Sequence, residues 1–418
     1  MYLQKENIAE RNKIIKFTGP CTIHSMEDSI RNFNNEGDGP LLFDMRDITY
    51  IEVPSIIFLI AYIDKIHSEG EKIEIDLPQK LEIRNFIRRL RLPKMLFLIT
   101  GVKFQNLVTT ESLKYFGETP HIKGDYRSFQ LKKYSNYDSL ADAIVEEDIR
   151  TYSELYHFKT DDDKSIAYGK LLTYCNCAEM RAFLKKYLKS QENDKERLVS
   201  NRIIYECITN SQRHSEAGKL MVSFIVMNDK NFHISFWDNG VSIIKTLKNV
   251  IGRKGLIRDD EIFKNSKIDT IQASYYIKYK NNKFNETIIN SDSDLNEILC
   301  DDGIIFLSSF FPGISEDPKG LNNYRENMDF MDEDTPLKNP GMGLTILLNA
   351  AIDLLGGNVS VRAENYFLNI KKPDEKGINN IGLQTIKYSK FYEVKIEKRG
   401  EDIPFKGNML TIRLPLKK

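Results

Sequence analysis

In residues 203–216, IIYECITNSQRHSE, three side chains of different chemistry fall on one line of a helix. At about 100° per residue, Glu206, Asn210 and Arg213 lie within roughly a 60° arc. Ile204, Cys207, Ile208 and Ser211 face the other way. The segment therefore predicts a helix that buries one side and presents a carboxylate, an amide and a guanidinium at successive turns. A merely solvated face usually alternates its charges; this set is site-like. A solvated surface helix is the plainer alternative, and the rest of the chain decides between the two.

A chain of 418 residues holds two or three domains, each able to bury a core. Its 60 basic and 60 acidic side chains balance, so nothing in the overall charge argues for a nucleic-acid or anionic-membrane partner. The most basic stretch, IRNFIRRLRLPK, spaces its apolar residues as a helix does and reads as a solvated face. The five cysteines are scattered, without disulfide framework or zinc spacing, as expected of a reducing cytoplasm. The opening MYLQKENIAERNK lacks the apolar core of a signal peptide. The run SIIFLIAYI ends at Asp64, about half a membrane span long. A soluble cytoplasmic protein is expected.

Residues 1–105 alternate strands (GPLLFDMRDI, EKIEIDLP) with helices (SIIFLIAYIDKIHSEG, KLEIRNFIRRLRL), predicting a small α/β domain. Residues 106–162 read as a polar connector containing a helix, NYDSLADAIVEEDIRTYSELY. Two further helical stretches then lead into the strands KLMVSFIVM and FHISFW. In the first domain, the strand LLFDMRDITYIE running into a helix at VPSIIFLI resembles a STAS domain, the module of anti-sigma-factor antagonists. Signalling members phosphorylate a Ser or Thr at that turn. Here the position falls on Pro54 or Ser55, depending on register. Pro54 displaces the pattern, so phosphorylation of Ser55 is not expected, and a purely structural or partner-binding module is.

Two more motifs follow. FHISFWDNGVSI ends a β-rich run in Asp238, Asn239 and Gly240, a sequence that by itself makes a turn. KNPGMGLTILLNAAIDLLGG places Gly341 and Gly343 before a helix with Leu344, Leu347, Leu348, Ala351 and Leu354 on one face. Glycines at a helix start let backbone N–H groups approach phosphates.

The order of these boxes, from an E-x-x-x-N helix through a strand ending D-x-G and a G-x-G-L loop to the strand NMLTIRLP, resembles the GHKL ATPases. This is the Bergerat-fold group of gyrase, heat-shock chaperones, mismatch-repair ATPases and histidine kinases. The resemblance implies a two-layer α/β sandwich over residues 163–418, with a large lid insertion at about 244–338 and a second insertion at about 365–405. It implies ATP and magnesium, with Asn210 as metal ligand, Glu206 as general base and Arg213 on the phosphates. It assigns the adenine amino group to Asp238, the approach to the base to Gly240, and the phosphate side to Gly341, Gly343, Leu344 and Lys338. Two positions depart from the pattern: Ser242 replaces a glycine, and Asn408 replaces the threonine of the last strand. Trp237, one residue before Asp238, is expected to turn away from the base.

The function implied is an ATP-binding regulatory protein, a magnesium-dependent ATPase whose nucleotide state controls a protein partner through the STAS-like domain or the lid. The alternatives are an anti-sigma-type protein serine kinase and a nucleotide-gated interaction protein that forms homodimers without turnover. Phosphotransfer to histidine is disfavoured, because His157 lacks an adjacent carboxylate. No H-E-x-x-H or P-loop motif is present. Within the lid insertion GIIFLSSFFPG reads as a buried strand; Asp292, Asp294 and Asn296 alternate as in a calcium loop, but the loop's Gly at the sixth position and Glu at the twelfth are missing, so a solvated loop is expected.

Overall fold

Parallel strands need long crossovers, and helices supply them in the first part of the chain. The structure, a computed structural model, describes residues 13–33, 39–117, 151–158, 161–175, 177–213, 217–227, 230–254, 274–280, 286–290, 302–310, 343–373, 391–399, 403 and 405–417. The chain divides into two units. One comprises Met1–Leu155, Met221–Ser223 and Asp402–Phe405; the other comprises Tyr156–Leu220, Phe224–Glu401 and Lys406–Lys418.

In the first unit β1 (Ile14–Cys21), β2 (Leu41–Ile51) and β3 (Ile73–Asp76) form a parallel sheet in that order. Helices α1 (Ile23–Arg31) and α2 (Val53–Ser68) make the crossovers, and α3 (Leu81–Arg89), α4 (Leu92–Thr100), α5 (Phe104–Leu107) and α6 (Thr110–Gly117) follow. Thr22 and Ser25 close a capping box at the start of α1, which satisfies two backbone donors. Pro54 occupies the first turn of α2, where its missing N–H costs nothing. The greasy run expected to be too short for a membrane is this helix, buried from Ile56 to Ile63. Among the described residues no helix is long and apolar enough to cross a membrane.

The charged side chains of this unit pair along the strand ends. Arg46 donates to both carboxylate oxygens of Asp44, at 2.9 and 2.7 Å, and lies 3.6 Å from Asp76. Burial raises the Asp44 carboxyl, but the hydrogen bonds and charge of Arg46 outweigh it and hold the group below its usual range. Thr109 and Ser112 also donate to Asp76, and Ser112 accepts from the Leu77 N–H at 2.9 Å. Ser55, by contrast, is 0 % exposed near the start of α2, and its hydroxyl has no hydrogen-bond partner. A phosphate at that oxygen would have to open the unit. Mass spectrometry after incubation with ATP and magnesium should find Ser55 unmodified; stoichiometric phosphate there would overturn this account of α2.

The nine-stranded sheet runs β4-β5-β6-β12-β9-β10-β11-β7-β8. Its strands are β4 (Thr151–His157), β5 (Lys219–Met227), β6 (Asn231–Asp238), β7 (Ser274–Lys280), β8 (Glu286–Asn290), β9 (Asn358–Ala363), β10 (Tyr366–Lys371), β11 (Phe391–Lys398) and β12 (Asn408–Pro415). In the second unit, helices Asp161–Cys175 and Ala178–Tyr187 are fastened to β5 and β6 by aromatic side chains. Tyr174 stacks on Phe224 with centroids 6.1 Å apart, and Phe183 meets Phe232 edge-on at 5.8 Å. Each such pair contributes about 0.5–1.5 kcal/mol beyond its buried area. A π-helical stretch, Leu198–Ile204, runs directly into helix Tyr205–Arg213. A second one, Asn349–Leu354, continues helix Gly343–Leu348 and packs on β9 and β12.

Two local expectations fail. GIIFLSSFFPG is not a strand: Asp302–Ser308 is a helix, buried from Gly303 to Ser308 against β10, β11 and helix Ile243–Lys254. Lys248 holds its start through Asp302 at 2.6 Å. A short, wholly apolar run carries no periodicity to distinguish the two. The segment TYSELYH is not the end of a helix but the strand β4, with Ser153 and Leu155 buried in alternation. The expected lid insertion lies mostly outside the described residues. Its described strands extend the sheet: β7 pairs in parallel with β11 from the second insertion, and β8 pairs with β7.

In β6, His233 stands opposite Arg413 of β12. Burial, with that cation beside it, depresses the imidazole to about 4. The unfolded chain takes up the proton first as pH falls, so stability present above about pH 6.5 is lost on going down to about pH 4. The loss amounts to roughly 3 kcal/mol for a shift of this size. Denaturant titrations followed by Trp237 fluorescence should show it in the wild type, and His233→Gln should flatten the profile across that window.

Candidate functional site

Two groups of polar side chains come together in the second unit. In the first, helix Tyr205–Arg213 meets the start of helix Gly343–Leu348. Gly343 lies so close that a Cβ on it would stand 2.4 Å from Glu206 Oε2 and 3.6 Å from Asn210 Nδ2. The second glycine of G-M-G thus rests on the carboxylate and amide that share one helix face. Glu206 is buried, and the Asn210 amide nitrogen is buried without a hydrogen-bond partner. The opposite face is core: Ile204, Cys207, Ile208 and Ser211 are all buried. Burial and the adjoining Glu206 carboxylate push the Cys207 thiol well up, so it is no nucleophile. Arg213 ends the helix and Leu344 is the second residue of its neighbour. Lys338 and Gly341 lie outside the described residues, as does His214.

The second group forms where β6 and β12 begin to diverge, with Asn408 opposite Asp238. Asp238 is 5 % exposed, and its Oδ1 accepts the Gly240 N–H at 3.0 Å. The expected turn is therefore real, and the carboxylate is built into it. Asn408 accepts the Ile243 N–H at 2.8 Å and donates to the Val241 carbonyl at 3.0 Å and to Asp238 Oδ1 at 3.3 Å. Ser242 sits where the resemblance called for glycine. It caps helix Ile243–Lys254, accepting from the Lys245 N–H at 3.1 Å, and donates to Glu364. Trp237 is fully buried, and its indole N–H donates to the Lys406 carbonyl at 3.1 Å.

Gly407, the glycine before Asn408, makes a close approach that the sequence alone does not show. A Cβ there would stand 1.7 Å from the Asp238 carbonyl oxygen and 2.9 Å from Asn239 Cα, and its φ is +86°. Only glycine permits both the backbone shape and the approach. Asn239 fastens the other side, accepting the Lys219 N–H at 2.9 Å and donating its own N–H to the Lys219 carbonyl at 3.3 Å.

Two features of the structure bear on whether these residues suit a magnesium–nucleotide group. The orphaned Asn210 amide is one. The close approach of Gly343 to Glu206 is the other, since it sets the backbone of Gly343 directly on the carboxylate and beside the amide. Amide nitrogen and oxygen are told apart only by their partners, so Asn210 can meet a phosphate oxygen or, turned over, a cation. Among the described residues no cluster of three or more His, Cys, Asp or Glu could hold a metal. A hard cation here would take its other ligands from phosphate and water, as magnesium does. The residues fit the group.

No protein-family model matches the sequence, and no curated protein matches it.

The two glycines should respond differently to substitution. Gly407→Ala forces backbone against backbone in a left-handed conformation and should cost roughly 2–5 kcal/mol. Gly343→Ala displaces only the mobile end of Glu206 and should cost less than about 1.5 kcal/mol. Urea denaturation monitored at Trp237 compares them; an equal effect would contradict the packing described.

Proposed function

We propose that the second unit is a GHKL-like ATP-binding domain, with magnesium as its metal, and that the first is a STAS-like partner-binding domain. The protein is on this reading a regulatory ATPase whose nucleotide state controls a protein partner. One observation carries it: Gly343, at a helix start, packs on Glu206 and Asn210, which lie on one face of another helix. Sequence order alone allowed these boxes to be strangers; their contact in space is what a phosphate site needs.

Bound magnesium would neutralise phosphate charge. Asn210 offers the amide that holds it, and Glu206 offers a carboxylate to take a proton from an attacking water. Asp238, screened from solvent and oriented by Gly240 and Asn408, offers an acceptor to an exocyclic amino group. The buried Ser55 supports the ATPase reading over the serine-kinase alternative, because the acceptor nearest the STAS pattern is not accessible.

Calorimetric titration with ATP and magnesium tests the reading. Asp238→Asn should weaken ATP binding by about 10–150-fold, the cost of a hydrogen bond to a charged group of 1.5–3 kcal/mol, with the fold intact. Glu206→Ala should keep nucleotide affinity while phosphate release falls by about 10²–10⁴. Asn210→Ala should remove the dependence of binding on magnesium. Unchanged affinity in a folded Asp238→Asn protein would sink the adenine assignment, and a wild-type hydrolysis rate in Glu206→Ala would reduce Glu206 to a helix residue.

A further inference from the structure

Helix Asp302–Ser308 is bonded to elements of both polar groups of the second unit. At its start, Asp302 pairs with Lys248 at 2.6 Å. Lys248 belongs to helix Ile243–Lys254, whose first N–H groups are held by Asn408 and Ser242 beside the Asp238 turn. Just past its end, the Phe310 carbonyl accepts the Thr345 hydroxyl at 2.8 Å. Thr345 follows Gly343 closely in helix Gly343–Leu348, and Gly343 rests on Glu206 and Asn210. Each step from Asp238 to Gly343 is therefore a bond or a run of helix. The Thr345 bond is the unusual one. Helical threonines ordinarily turn the hydroxyl back on a carbonyl of the preceding turn, as Thr100 does to Leu96 at 2.7 Å and Thr173 to Gly169 at 2.8 Å. Thr345 instead donates to a segment 35 positions away. It is also buried, whereas the side chains of Lys248 and Asp302 are 45 % and 32 % exposed. An exposed ion pair is weak and screened by salt, so the Thr345 end decides how firmly the path holds.

We infer that Thr345 is a positioning residue of the proposed nucleotide site, fixing Gly343 against Glu206 and Asn210 in register with the Asp238 turn by way of Phe310 and helix Asp302–Ser308. The inference rests on the nucleotide reading above and adds to it the means by which the base end and the phosphate end act together. A nucleotide must meet both ends at one spacing. A helix anchored on each side sets that spacing before the ligand arrives, which lowers the cost of ordering the site. The same bonds carry ordering from one end to the other, because a contiguous run of hydrogen bonds and rigid helices transmits it. The Thr345 hydroxyl is committed to Phe310, so the residue acts through Gly343.

The experiment compares adenosine with ATP and magnesium on wild type, Thr345→Val and Thr345→Ser, by calorimetry and by hydrogen–deuterium exchange. Adenosine has no phosphate and meets only the base end. On wild type, saturating adenosine should nonetheless slow exchange in peptides covering 302–310 and 343–348 as well as 238–243. In Thr345→Val that protection should stop at 302–310. The same variant should bind ATP about two- to tenfold more weakly, the range of one neutral hydrogen bond, with its adenosine affinity level. Thr345→Ser keeps the hydroxyl and should behave as wild type throughout. A residue with a structural role alone would weaken both ligands or neither. The adenosine arm on wild type needs no variant, so a folding failure of Thr345→Val leaves the inference open to refutation: protection confined to 238–243 overturns it. Equal ATP affinity in folded Thr345→Val and wild type also overturns it. In either case ATP binding by wild type leaves the nucleotide reading standing, whereas a wild type that binds neither ligand removes both.

Discussion

The close approach of Gly407 to the backbone of Asp238 and Asn239 is the constraint on which the candidate site depends. It brings β12 against β6 at the inner strands of a nine-stranded sheet, with room for a hydrogen and nothing larger. From that contact follow the pairing of Asn408 with Asp238, the reach of the Asn408 amide to Ile243 and Val241, and the indole bond from Trp237 to Lys406. The Asp238 carboxylate is thereby held in place by backbone and amide groups. A group with so little freedom recognises a ligand without first paying to order itself.

The two positions that depart from the resemblance have structural roles of their own. Ser242 supplies a helix cap that glycine cannot, and Asn408 uses both ends of its amide to fasten the turn. Spacing exposes the departures, and the hydrogen bonds account for them.

Much of the architecture was legible because periodicity survives folding. The alternation of β2, α2 and β3, the buried stripe of helix Tyr205–Arg213 and the alternating burial of β12 all follow from side-chain spacing. What failed were short runs whose composition fits either state. Asp302–Ser308 is apolar on all sides because it is enclosed, and β4 follows a stretch of helix-forming residues. In the candidate site, Glu206, Asn210, Asp238 and Asn408 were singled out through the ordered boxes of the resemblance, because each lies in a local pattern; the structure adds the contact of Gly343 with Glu206 and the bond of Asn408 to Asp238. Gly407 stands in the sequence only as the glycine before Asn408; that a Cβ on it would strike the Asp238 carbonyl oxygen follows from the pairing of β6 with β12 and from no local pattern.

The central claim is that the Glu206–Asn210–Gly343 group and the Asp238–Asn408 group are two ends of one nucleotide site. Hydrogen–deuterium exchange with saturating ATP and magnesium addresses it most directly, because it reads both ends in one experiment without a substitution. The account predicts slowed exchange in peptides covering 205–213, 238–243 and 343–348 together. Unchanged exchange in all three, or protection confined to residues 13–117, would contradict it.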